Sequence, residues 1–263
     1  MNQAEIGALK LMTDAQFAET VELDLSEELS KLDLPTLKQM QQAGEEMAEC
    51  LRVLDRVGRT LIHEVIDGET SLEFYTHYPK SDDVRDEANN SQYYYHHHRD
   101  DPQEHGHFHL YVRSGGIPQG VVASNKYNRK KWPPKSDQFA QLFVISLDPQ
   151  GLPCQIFTNN RWVAHETFFE APQLIRLLDG FKIDHAWPSW PLNRWISAFP
   201  MVFRPQIEAA IFARDRVIKD FAQKNPVGHV LEDERLEVTS IVKINFEQQI
   251  SQINQMISTG GLC

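Results

Sequence analysis

The chain has 263 residues, a formal net charge of −11, and 41% hydrophobic against 24% charged residues. That length can bury a core without disulfide or metal staples, and the acidic balance disfavours nonspecific binding to nucleic acid or anionic membranes. Cys50, Cys154 and Cys263 are odd in number and widely spaced, with no Cys-x-x-Cys, which argues against a disulfide framework and a thiolate zinc site.

No apolar run approaches the roughly 18 to 20 residues that cross a bilayer. Met1 to Glu5 lack the basic and apolar regions of a secretory signal, so a cytoplasmic location is expected.

Residues 20–34 are acidic and leucine-spotted and read as a loosely attached lead-in, giving a boundary of 1–34 before a single domain over 35–263. Pro35 suits a helix's first turn. Leu37, Met40, Met47, Leu51, Leu54, Val57 and Leu61 then recur at three- and four-residue steps or their multiples, which predicts a long helix reaching about Ile66.

The period changes in the middle of the chain. Leu72–Tyr78, Gln92–His98, His105–Arg113, Gln141–Leu147 and Pro153–Thr158 are short aromatic or β-branched runs, each expected to be a strand. Asp148-Pro149-Gln150-Gly151 makes a hairpin turn between the last two. Residues 114–138, rich in glycine and proline, read as a long connection.

Helical character returns after Pro172, as far as Gly180, and after Pro205, as far as Asn225-Pro226. Trp187 to Trp195 read as an aromatic, proline-stiffened loop. Glu237–Asn245 suggests another strand, and Ile250, Ile253 and Ile257 a final helix. The fold class is α+β: an antiparallel sheet of five to six strands packed against the long N-terminal helix and C-terminal helices.

Six of the eleven histidines lie between His96 and His109. Imidazole is a common metal ligand and changes charge near neutral pH. If the two histidine-bearing strands form a hairpin with His98 opposite His105, then His96 faces His107 and Tyr94 faces His109. Alternation then puts His96, His98, His105, His107, His109, Tyr94, Tyr111 and Arg113 on one side. Tyr93, Tyr95, Phe108, Leu110 and Val112 share the other, with Tyr95 across from Phe108 and Tyr93 across from Leu110. A shift by one residue would destroy that partition.

Three such imidazoles with an open position suit zinc, and two with a carboxylate suit ferrous iron. The expected ligands of a divalent metal, zinc or iron, are His96, His107 and His109, with His98 and His105 next. Glu104 is the candidate carboxylate or general base, His77 a further contributor, and Tyr94 and Arg113 orient a small anionic substrate.

A non-enzymatic module binding a small anion or protein partner through the same pocket is the alternative. A further one follows the residue order of ferrous 2-oxoglutarate oxygenases, to which His98-Arg99-Asp100, His165 and Arg176 can be fitted. No zinc-protease helix, nucleophile elbow or phosphate loop is present. The basic stretch Lys126–Lys135 carries five positive charges and could close over the histidine face.

Overall fold

The computed structural model describes residues 15–66, 68–69, 72–98, 102–127 and 132–260. Seven strands form one sheet: β1 (Glu19–Thr20), β2 (Val84–Asp86), β3 (Ser91–His96), β4 (Gly106–Arg113), β5 (Phe139–Leu147), β6 (Pro153–Asn159) and β7 (Val238–Lys243). Their spatial order is β1-β7-β6-β5-β4-β3-β2. β1 runs parallel to β7, and all other neighbours are antiparallel.

The sheet is thus mixed and larger than the five to six antiparallel strands expected. Both extra strands are edges of two or three residues, too short to carry a readable alternation. The stretch Leu72–Tyr78, expected to be a strand, contributes a single bridge from Tyr78 to Tyr95. Tyr75 in the left-handed region (φ 62°) turns the chain out of extension there.

Eight α-helices complete the described fold: α1 (Leu25–Ser30), α2 (Leu34–Asp55), α3 (Leu61–Ile66), α4 (Arg161–Ala164), α5 (Ala171–Leu174), α6 (Trp190–Val202), α7 (Arg204–Lys224) and α8 (Phe246–Gly260). Residues 1–14 of the expected lead-in lie outside the described residues, and a helix follows in its second half. Asp24 caps α1, whose Leu29 is fully buried beside Leu37, Met40 and Ile253.

Asp33 accepts the Thr36 N–H at 2.9 Å and starts α2, with Pro35 in its first turn. The apolar stripe expected to run to Ile66 as one helix is divided. Gly58 adopts φ 68°, and the Arg59 N–H folds back onto the Leu54 carbonyl at 3.0 Å, so α2 ends and α3 begins afresh. Nor does α2 lie on the sheet; it packs chiefly on α6 and α8.

α6 starts inside the segment read as an aromatic loop. Ser189 caps it and Pro191 sits in its first turn, so a proline read as part of a loop is a helix start. Trp195, Phe199, Phe203 and Ile207 from α6 and α7 are fully buried in one core with Tyr93, Tyr95, Phe108, Leu110, Phe143 and Ile145. One sheet face is therefore apolar and covered by helices. The opposite face is left to carry the histidines.

The β3–β4 register is the expected one: Tyr93↔Leu110, Tyr94↔His109, Tyr95↔Phe108 and His96↔His107. At its open end Gly106 allows the closest approach, since a Cβ there would meet Tyr95 Oη at 2.6 Å and the His96 carbonyl oxygen at 2.7 Å. Gly106→Ala is expected to lower the unfolding free energy by about 1–3 kcal/mol in urea titrations. Gly180→Ala, with open space around it, is expected to change it by less than about 0.5 kcal/mol.

Candidate metal centre

Alternation along two paired strands brings the imidazoles of His96, His107 and His109 together on the face turned away from the helices. His96 Nε2 is the common vertex, 2.8 Å from His107 Nε2 and 3.1 Å from His109 Nε2. His98, just beyond the end of β3, joins from the same side. Its ring centroid lies 4.9 Å from that of His96 and 4.9 Å from that of His107. One nitrogen from each of His96, His98 and His107 falls within 4.8 Å of the others, and this triad can hold a metal ion. His107 and His109 are each only 1% exposed.

Outer contacts fix these rings. Glu104, itself buried, bonds His107 Nδ1. A carboxylate only accepts, so His107 donates from Nδ1 and keeps the Nε2 lone pair for the cluster. Glu104, expected as a carboxylate ligand or general base, contacts the outer nitrogen of His107. The Gln141 amide lies 2.6 Å from His109 Nδ1.

Tyr94 is where the sequence placed it, stacked between His77 at 3.6 Å and His109 at 4.8 Å. Tyr111 donates to its hydroxyl at 3.0 Å. Burial pushes the Tyr94 phenol up to about 12, so it remains a proton-bearing group at neutral pH. His77 does not enter the triad. Its Nδ1 is 2.9 Å from Asp83 Oδ1, and its ring edges that of His96 at 5.9 Å. The loop before it supplies further cover, with Phe74 stacked on His97 at 5.0 Å and Tyr75 on His98 at 5.3 Å.

Two expected site residues lie elsewhere. His105 precedes the first paired residue of β4, and its Nδ1 reaches the Tyr95 hydroxyl at 2.7 Å, on the helix-covered side. Burial, with His97 and His63 nearby, lowers its pKa. Strand alternation was extended one residue too far. Arg113 shares the correct side but sits beyond Tyr111, paired with Glu87. Of the oxygenase-like set, Asp100 lies outside the described residues, while His165 is an exposed cap of α4 and Arg176 reaches the Gly120 carbonyl at 3.4 Å.

Within the basic stretch 126–135, residues 128–131 lie outside the described ones. Tyr127 and Trp132 on either side pack against the cluster of Phe168, Ile218 and Phe221, not on the histidines. A cavity of about 590 Å³ opens between α2 and α6, lined by Ala43, Phe181 and Trp190 among others. Its charged Arg194 and Lys182 are paired with Glu46 and Asp184. Among the described residues, the one group that could hold a metal ion lies on the sheet, not in this cavity.

Sequence reasoning missed three polar residues around the cluster. Gln141 and Ser146 come from β5, and their relation to the histidines exists only once β5 pairs with β4. Glu166 lies buried behind Gln141 and accepts its backbone N–H. The β4–β5 register shifts between Leu110 and Tyr111 at this point.

Burial pushes the Glu166 carboxyl up to about 7, against the pull of Arg214 and Arg161. Its folded value lies above the ordinary one of 4.5, so the folded chain holds an extra proton between the two. That contribution to stability is complete below about pH 4.5 and lost as pH rises through about 7. Glu166→Gln, which keeps an acceptor for Gln141, is expected to gain on the wild type as pH rises across this window. The gain should reach the order of 3 kcal/mol above it, read from chemical denaturation at several pH values.

The chain matches the family described as Domain of unknown function (DUF6969) over residues 41–244. That span covers most of its length and includes the whole histidine hairpin, and the chain belongs to this family. No curated protein and no solved structure matches it. Among the described residues, no helix is long and apolar enough to cross a membrane.

Proposed function

We propose that this member of the DUF6969 family is a divalent-metal protein whose ion is held by His96, His98 and His107 on the β3–β4 hairpin. The observation that carries this reading is the convergence of three imidazole nitrogens within 4.8 Å of one another. The outer nitrogen of one of them is bonded to a buried carboxylate.

The outer contact of His107 supports it. With Nδ1 turned to Glu104, His107 directs Nε2 toward His96 Nε2, 2.8 Å away. Both nitrogens are within reach of one ion placed at this edge of the hairpin. The 2.8 Å separation of the His96 and His107 nitrogens lies just under the about 2.9 to 3.3 Å that nitrogens keep when bound to one ion at about 2.0 to 2.1 Å.

An all-imidazole set favours zinc over ferrous iron, because the nearby carboxylate that iron would use is engaged on His107 Nδ1. Three protein ligands leave a position for water or substrate, which is the arrangement of catalytic rather than structural zinc. When bound, such an ion acidifies water and polarises a substrate oxygen. The chain's own residues orient the ligands through Glu104 and wall the site with the Tyr94 and Tyr111 phenols.

Metal analysis of tag-free protein tests this. About one divalent ion per chain is expected, lost in His107→Ala. Glu104→Gln should stay folded and weaken zinc affinity about 10- to 100-fold. Metal-free protein whose melting temperature does not move on adding zinc or ferrous iron would contradict the proposal.

A further inference from the structure

His109 differs from His107 in what touches its outer nitrogen. His107 meets a carboxylate, which only accepts; His109 meets the side-chain NH2 of Gln141 at 2.6 Å, which only donates. The His109 proton is therefore placed on Nε2, the nitrogen that lies 3.1 Å from His96 Nε2. A proton-bearing nitrogen does not ligate a cation. It presents an N–H donor at the edge of the triad.

Gln141 is anchored from behind to serve in this way. Its backbone N–H goes to the buried Glu166 carboxylate, and the Thr167 N–H bonds the Phe139 carbonyl at 2.9 Å.

A second donor stands beside the first. Ser146 pairs directly with His107 across β4 and β5. Directly paired residues share a sheet face, with Cβ atoms about 4.5 to 5.5 Å apart. Ser146 is 1% exposed, and its hydroxyl has no hydrogen-bond partner among the described residues. An unsatisfied buried hydroxyl is costly, and a ligand within reach would relieve it.

We infer that the site takes a small anionic ligand, such as a carboxylate or hydroxide, at the metal's remaining position, held by the His109 N–H and the Ser146 hydroxyl. Gln141 is the positioning residue that keeps His109 in its donor form and out of the coordination sphere. This inference rests on the metal reading above and deepens it. It assigns anion recognition to residues beside the triad, whereas Arg113 is paired with Glu87.

The test uses the full chain loaded with cobalt(II), whose visible bands report coordination, titrated with azide as the anionic probe. Azide is expected to shift the bands of the wild type. Ser146→Ala should take up cobalt as before and bind azide about ten- to a hundredfold more weakly, with His109→Ala weakened similarly per bound cobalt. Gln141→Glu offers Nδ1 only an acceptor, which moves the His109 proton there and frees Nε2. His109 then joins the metal and the azide response disappears.

Bound cobalt whose bands ignore azide in the wild type would overturn the inference while leaving the metal reading intact. So would azide affinity unchanged in both the Ser146 and His109 variants. A wild type that takes up no cobalt would overturn both.

Discussion

The approach of His96 Nε2 to His107 Nε2 at 2.8 Å is the contact around which the candidate centre is built. It exists because two strands pair in one register, and that register is held from the other side of the sheet. Tyr93, Tyr95, Phe108 and Leu110 alternate with the histidines and are fully buried against Trp195, Phe199 and their helical neighbours. Sliding one strand by a residue would turn imidazoles into the apolar core and aromatic rings into the polar site. Burial of apolar area on one face thus supplies the energy that keeps nitrogen atoms close on the other.

The polar face obeys a different rule. Its groups are withdrawn from water, so each needs a partner, and those partners decide which ring nitrogen faces the centre. Glu104 fixes His107 in one tautomer and Gln141 fixes His109 in the other. Two histidines of similar burial, two positions apart on one strand, are thereby given different chemistry: one offers a lone pair, the other a proton. Glu166 acts a step further out, holding the backbone of Gln141 where β5 slips against β4.

The hairpin was legible because its signal is local. Six histidines within fourteen residues, alternating with aromatics, specify both pairing and facing. The inference failed where regular alternation ended: His105 lies before the first paired residue, and Arg113 continues past Tyr111 to meet Glu87. Gln141, Ser146 and Glu166 carried no readable signal, because they reach the site through contacts between residues far apart in sequence, 25 positions for Glu166 and Gln141 and 32 for Gln141 and His109.

The same contrast runs through the fold. Long or strongly patterned elements such as α7, β5 and β6 were evident. The edge strands β1 and β2 were too short to show a period, and Pro191, a helix start, was taken for part of a loop. Gly58 broke an apolar stripe whose spacing continued through it.

Anomalous diffraction from crystals grown with zinc addresses the central contact most directly. The account requires one strong peak on the sheet face of the β3–β4 hairpin, about 2.0 to 2.1 Å from nitrogens of His96, His98 and His107, with His109 farther off. Zinc found only at exposed carboxylates, with the four imidazoles bonded solely to one another and to water, would contradict it.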